Sequence, residues 1–167
     1  MNHLTLAAGL MLSATSALAE TPVLTVYAPD YFGSEWGPGP AIEAAFEAEC
    51  ACDLQFVTGD LLPRIMLEGV RIKADVVIGL NTDVTKQARE TGLFAPHGQD
   101  TSALTMPIEW TDEIFMPFNW GYSGFVYDNT KIINPPTSFE DFVNSDEDWK
   151  IVIQDPRSSF SGLALML

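Results

Sequence analysis

The sequence predicts an α/β fold built on parallel-type sheets with crossover helices, and three observations carry that expectation. Strand and helix signals alternate in the order βαβαβα from Val23 to Gly92, the pattern of parallel strands joined by helices. Val76-Val77-Ile78 is a continuous apolar run, as in a central parallel strand covered on both faces. The run Val23 to Tyr27 breaks into a Gly/Pro-shaped loop, Ala28 to Pro40, and an Ala-rich helical pattern follows.

The first strand is read as Val23 to Tyr27. Gly39-Pro40 opens a helix to about Glu49, with Pro near its start where the missing N–H costs nothing. Ile42, Ala45, Phe46 and Glu49 share one face of it, three of them apolar. Leu54 and Phe56 mark a second strand with an alternating face. Asp60 is placed to cap a helix through Leu67, Pro63 is still within its first turn, and Gly69 can end it. Ala74 to Leu80 is the third strand; Thr82 or Asp83 caps the next helix, and Gly92 stops it.

From Ile114 the rhythm changes. Phe115 to Phe118 and Tyr122 to Tyr127 are aromatic-rich, strand-like runs separated by Asn119-Trp120-Gly121. Asn134-Pro135-Pro136 is a loop, and Ser138 with Asp141 is close to a capping box for a short helix. Lys150 to Gln154 reads as another strand, followed by Asp155-Pro156-Arg157 and a Ser-rich turn. Leu163 to Leu167 begins an apolar segment, which leads us to expect a fragment of a longer protein.

At the other end, Leu4 to Leu12 is an apolar stretch and Ala17-Leu18-Ala19 a cleavage pattern. Residues 1–19 are therefore expected to be an export signal, too short in their apolar part for a membrane span of ~20 residues. The 23 Asp and Glu against 8 Lys and Arg give a net charge of −15. That counts against nucleic acid, whose phosphates demand a basic face. The two cysteines form Cys50-Ala51-Cys52; in an oxidising compartment each is the other's nearest partner. A redox or metal pair is the alternative, and four-ligand zinc has little to draw on with two His in the chain.

In open α/β sheets, ligands bind beyond the carboxyl ends of the strands. The loop after the first strand holds Asp30, Tyr31, Phe32, Glu35 and Trp36, and rings beside carboxylates suit a flat organic cation. An exported binder of a small cation is thus what the residues alone suggest. Each candidate has a plainer reading beside it. Trp36 can plug the sheet edge, Asp60 can be an N-cap, Asp30 a turn former, and Ser159 the cap of a following helix whose amides also suit an anion. Trp120 and Tyr122 read as strand core with Asn119 their polar neighbour, and Asp146-Glu147-Asp148 as a solvated face. No G-x-S-x-G, H-E-x-x-H or P-loop pattern occurs, so neither an enzyme nor a cofactor is expected.

Taken together, several stretches resemble the thiamine-binding proteins of bacterial ABC importers, within the two-lobed periplasmic solute-binding proteins. They are Leu24-Thr25-Val26-Tyr27, Glu35-Trp36-Gly37-Pro38-Gly39-Pro40, Ala45-Phe46-Glu47-Ala48 with Cys50-Ala51-Cys52, Lys73-Ala74-Asp75-Val76-Val77, Phe125-Val126-Tyr127-Asp128, Asn134-Pro135-Pro136 and Gln154-Asp155-Pro156-Arg157. The resemblance implies a type II periplasmic-binding-protein-like fold of two α/β lobes with ligand in the cleft between them. It places a first lobe at 20–113, crossing hinge strands at 114–128 and the start of an incomplete second lobe at 129–167. It implies thiamine or thiamine phosphates as ligand, an inner-membrane permease and its ATPase as partners, a periplasmic location and a monomer.

Residue by residue, the resemblance puts Trp36 on an aromatic lining the cleft, Gly59 and Asp60 on an acidic-Gly pair contacting ligand, and Asp30 on an acid of the first loop. Ser159 and Phe160 fall on a Ser-Thr pair near the phosphate or hydroxyethyl end, with Phe160 replacing a hydroxyl. Pro29 stands where a Tyr is common, and Tyr31 is its aromatic neighbour. Polyamines, ferric iron and phosphonates remain as other ligands, and a Cys-x-Cys thiol oxidoreductase as another class.

Overall fold

The computed structural model describes residues 20–122, 124–157, 159–164 and 166; the expected export signal at 1–19 lies outside them. The elements are β1 (Val23–Ala28), α1 (Asp30–Gly33), α2 (Gly39–Cys50), β2 (Asp53–Thr58) and α3 (Leu61–Glu68). A 3-10 turn at Gly69–Arg71 leads to β3 (Val76–Val77), α4 (Thr85–Glu90), α5 (Phe139–Val143) and α6 (Phe160–Ala164).

The sheet has the order β2-β1-β3, and β1 is parallel to both neighbours. Val23 pairs with Asp53 and Ala28 with Thr58, while Val26 pairs with Val76. Asp75 extends the second ladder in both directions. Its N–H donates to the Thr25 carbonyl at 2.9 Å, and its Oδ2 accepts the Thr25 N–H at 2.9 Å. The central strand is thereby bonded along both of its edges, as burial of its backbone requires. The apolar run at Val76 is not the centre of the sheet, however. β1 holds that place, β3 is at an edge, and Val76 is 42% exposed.

The core follows from β1. Val26, Tyr27 and Ala28 are buried with Phe32, Leu54, Leu61, Leu62, Ile65 and Ala88. Tyr27, Leu61 and Ile65 form its middle, and Val57, Ile72, Val77, Leu93 and Phe94 close around them. All of the buried hydrophobic side chains described thus lie between Val26 and Ala88.

α3 shows why these residues make this helix. Leu61, Leu62 and Ile65 recur at helical spacing and are buried, and Gly69 ends it at φ 55° with its N–H on the Ile65 carbonyl. α2 differs from expectation. Ala45, Phe46 and Glu49 are exposed, and the half-buried positions are Ile42, Glu43, Glu47 and Cys50. On the half-buried face Glu47 turns inward and accepts the Leu54 N–H at 2.8 Å. Neither Thr82 nor Asp83 caps α4; Val84 holds that position, and Thr85 Oγ1 bonds the Thr82 carbonyl.

At the α2–β2 corner Ala51 is left-handed, at φ 51° and ψ 39°, between bonded Cys50 and Cys52, whose Cα atoms lie 5.2 Å apart. The cap at Ser138 forms as read, its hydroxyl accepting the Asp141 N–H at 3.0 Å. The strands read at 115–118, 122–127 and 150–154 are not formed among the described residues. Those runs have side chains suited to a sheet but no ladder partner, and a strand exists only when its N–H and C=O groups pair. Phe125 instead packs on Phe139 and Phe142, at 5.1 and 5.8 Å between ring centroids.

Candidate functional site

Because β2, β1 and β3 run parallel, their carboxyl ends share one edge, and the loops that leave it carry most of the expected site. Asp30 and Tyr31 follow β1 directly, in α1. The turn is closed by backbone, the Phe32 N–H donating to the Pro29 carbonyl at 2.9 Å. Phe32 points inward and is 1% exposed, which leaves Asp30 and Tyr31 outward.

Beyond it, Gly37 is fitted so closely that a Cβ there would collide with the Tyr31 and Phe32 carbonyl oxygens. The Gly37 N–H donates to the Ser34 carbonyl at 2.9 Å, and Ser34 Oγ bonds the Tyr31 carbonyl at 2.9 Å. This tight loop presents the Trp36 ring at 92% exposure.

Gly59 and Asp60 follow β2. The Gly59 N–H donates to the Ala28 carbonyl at 3.2 Å, continuing the β1–β2 ladder and bringing the two loops side by side. Asp60 sits at the N-cap of α3 but makes no side-chain cap bond, so its exposed carboxylate is not used in capping. Gly79 after β3 completes the edge at φ 102°; a Cβ on it would lie 2.7 Å from Pro29 Cδ. The Pro29 ring is thus wedged against the neighbouring loop.

Phe118, the residue before Asn119, packs beneath the first of these loops. The Phe118 ring meets the buried Phe32 ring at 5.4 Å, and Phe32 also meets Phe56 at 5.5 Å. Asp30, Tyr31, Trp36, Gly59 and Asp60 therefore lie on loops at the carboxyl edge of the sheet, and Asn119 follows Phe118 in the chain. Ser159 and Phe160 are held by local contacts instead. The Ser159 N–H donates to the Asp155 carbonyl at 2.9 Å, and its hydroxyl bonds Gln154 Oε1.

Among the described residues, cavities also lie away from this edge. One of about 420 Å³ is lined by Arg89, Pro96, Thr111, Asp112, Glu113 and Ile114; one of about 500 Å³ lies in the loop from Asp100 to Trp110. Burial pushes the Asp112 carboxyl upward, but the Phe115 and Ile114 amides and the Arg89 guanidinium outweigh it and hold the group below the usual range. Sequence reading missed the bonds gathered at Asp112 and the packing of Phe32 against Phe118. The Asp-x-Ile spacing at 112 was the available sign, since Asp bonds amides two residues on.

The structure is thus an α/β unit whose parallel sheet sends its loops to one edge, with the exposed Trp36 indole on one of them. The chain belongs to the bacterial extracellular solute-binding protein family, whose model matches residues 71–167.

It is similar to the thiamine-binding periplasmic protein of Escherichia coli K12, 45% identical over 95% of this chain and 50% of that one. The proteins of that name from Brucella abortus and Haemophilus influenzae are 45% and 41% identical, over 86% and 93% of this chain. A solved periplasmic thiamin binding protein superposes with a TM-score of 0.78 at 45% identity, covering 90% of this chain and 48% of that one. The type II periplasmic-binding-protein fold expected from the sequence is therefore the fold of this chain. The chain spans about half the length of the curated relatives it matches. Among the described residues, no helix is long and apolar enough to cross a membrane.

Proposed function

We propose that this chain supplies one wall of a thiamine site in a periplasmic solute-binding component of an ABC importer. The observation that carries the reading is the Trp36 ring, 92% exposed on a tightly folded loop at the carboxyl edge of the sheet. Relatives named for thiamine at 41–46% identity support the choice of ligand. The cationic ring of thiamine stacks on Trp36, a contact of ~0.5–2 kcal/mol. Asp30 and Asp60 face its charged and amine groups, and Tyr31 and Asn119 border them. Gly59 lets backbone approach the ligand. Ser159 and the amides beside it, with Phe160, serve the hydroxyl or phosphate end.

On this reading residues 20–113 form the first lobe, 114–128 the crossing segment and 129–167 the start of the second. The ligand leaves chemically unchanged, and it passes to an inner-membrane permease driven by its ATPase. The carrier works as a monomer, exported by the signal at 1–19.

Calorimetry on the natural polypeptide containing this chain tests the reading, with thiamine, its monophosphate and its diphosphate against spermidine and ferric citrate. Heat with a thiamine form and none with the other two is expected. Silence with every thiamine form sinks the assignment.

A further inference from the structure

Between α4 and the carboxyl edge of the sheet, residues 110–118 form no helix or strand, yet they are fastened at both ends. Asp112 is the centre of the fastening. Its Oδ1 accepts the N–H groups of Ile114 and Phe115 at 2.9 and 3.0 Å, and its Oδ2 is bonded by Arg89 Nη2 from the last turn of α4. The Asp112 carbonyl lies 3.1 Å from His97 Nε2, and the His97 N–H donates to the Glu113 carbonyl at 2.9 Å. Trp110 Nε1–H donates to the Phe115 carbonyl at 2.7 Å. The Arg89 guanidinium lies 5.2 Å over the Phe115 ring, which packs 5.2 Å from that of Phe94. Three residues on, Phe118 meets Phe32 at 5.4 Å.

We propose that Asp112 is a positioning residue that clasps residues 112–118 to α4 and so sets where Phe118 and Asn119 meet the carboxyl edge of the sheet. Its functional weight rests on reading that edge as the ligand wall. The physical case is one of entropy. A segment without regular hydrogen bonds keeps one path only if side chains hold it. A carboxylate that takes two amides and a guanidinium together holds three points at once.

The test uses the isotope-labelled chain in Asp112→Ala and Asp112→Asn forms. Alanine removes all the side-chain bonds, while asparagine keeps an oxygen for the two amides. In Asp112→Ala, exchange of the Ile114 and Phe115 amide protons should quicken roughly ten- to a hundredfold. The nuclear Overhauser effects between the Phe32 and Phe118 rings should vanish, with protection of Val26 and Tyr27 unchanged. Asp112→Asn should restore most of both.

If Asp112→Ala does not fold, Arg89→Met carries the test and should weaken the Phe32–Phe118 effects without touching β1. Persistence of those effects in either variant overturns the proposal, as does a loss of β1 protection in step with them. Free exchange of the Ile114 and Phe115 amides in the unaltered chain overturns it too. Thiamine titration of the natural full-length polypeptide separates the two ideas. If substitution parts the Phe32 and Phe118 rings while the unaltered protein gives no thiamine response, the clasp stands and the ligand reading is refuted.

Discussion

The Tyr27 hydroxyl donates to Glu68 Oε2 at 2.7 Å, tying the central strand to the last turn of α3. Arg64 completes the arrangement: its Nε bonds Glu68 Oε1 at 2.9 Å and its guanidinium lies 4.5 Å over the Tyr27 ring. The buried ring thus has its one polar atom satisfied at the rim of the core, as a buried Tyr requires.

Stability should depend on pH through this trio. The Tyr27 hydroxyl, and then Arg64, hold the Glu68 carboxyl below its ordinary range. A depressed carboxylate contributes stability above its unfolded pKa, and that contribution is lost as pH falls through the folded value. Tyr27 is raised, by burial first and then by its bond to Glu68, so its share is present below its unfolded pKa near ~10 and fades in alkali. Urea melts should show Glu68→Gln weaker than the parent at pH 7 and nearly equal to it at pH 3. Tyr27→Phe should lose about 1 kcal/mol at pH 7. A pH-independent gap for Glu68→Gln refutes the account.

Trp36→Ala should separate binding from folding. Its ring is 92% exposed, so the melting temperature should stay within a degree or two, roughly the range of surface substitutions. Affinity for thiamine in the full-length polypeptide should drop roughly 2- to 30-fold, the measure of one cation–π contact. Unchanged affinity by calorimetry removes Trp36 from the site.

Gly37→Ala should damage the loop that carries that ring. The added methyl meets the Tyr31 and Phe32 carbonyl oxygens, and backbone must shift to admit it, at about 1–3 kcal/mol. Denaturant titration reads the loss, and the tryptophan emission of the folded state should change with it. A stable variant with parental emission contradicts the packing described.

Two positions on α3 offer a contrast within one turn. Ile65 is 0% exposed, and Ile65→Ala should cost about 2–5 kcal/mol. Leu67 is 80% exposed, and Leu67→Ala should change stability by less than about 0.5 kcal/mol. Similar losses at the two would mean that α3 faces the sheet differently.

Ala51→Gly should be tolerated and slightly stabilising, by about 0.5 kcal/mol. Glycine relieves the left-handed strain at φ 51° but loosens the unfolded chain. Thermal melts of oxidised protein check it; a clear loss would place Ala51 outside the left-handed region.

Local signals were legible in this chain, and non-local ones less so. Ser138 with Asp141, and Gly69 at the end of α3, are decided within four residues and were readable. The parallel order was readable too, because only crossovers can follow the alternation of strand and helix. Phe32 was not, since an aromatic in a polar loop reads as exposed until Phe56 and Phe118 arrive from far along the chain to cover it. The same holds for β1 as the central strand, because Val76 looks more buried by composition than its edge position makes it. Of the candidate site, the place of the loops at the carboxyl edge was readable from the strand order, but the bond between Asp112 and Arg89 depends on tertiary placement.

The central position of β1 has a consequence for how the chain comes to be folded. The first strand made is the one that both others flank, and Val26 finds its partner Val76 only fifty residues later. A chain appearing amino end first can pair Val26 and Tyr27 with β2 but holds their other edge unpaired until Val77 has followed. Closing so distant a pair is slow compared with forming a helix. The middle of the sheet therefore stays open on one flank until the third strand has been made, and β1 builds that delay into the order of the sequence.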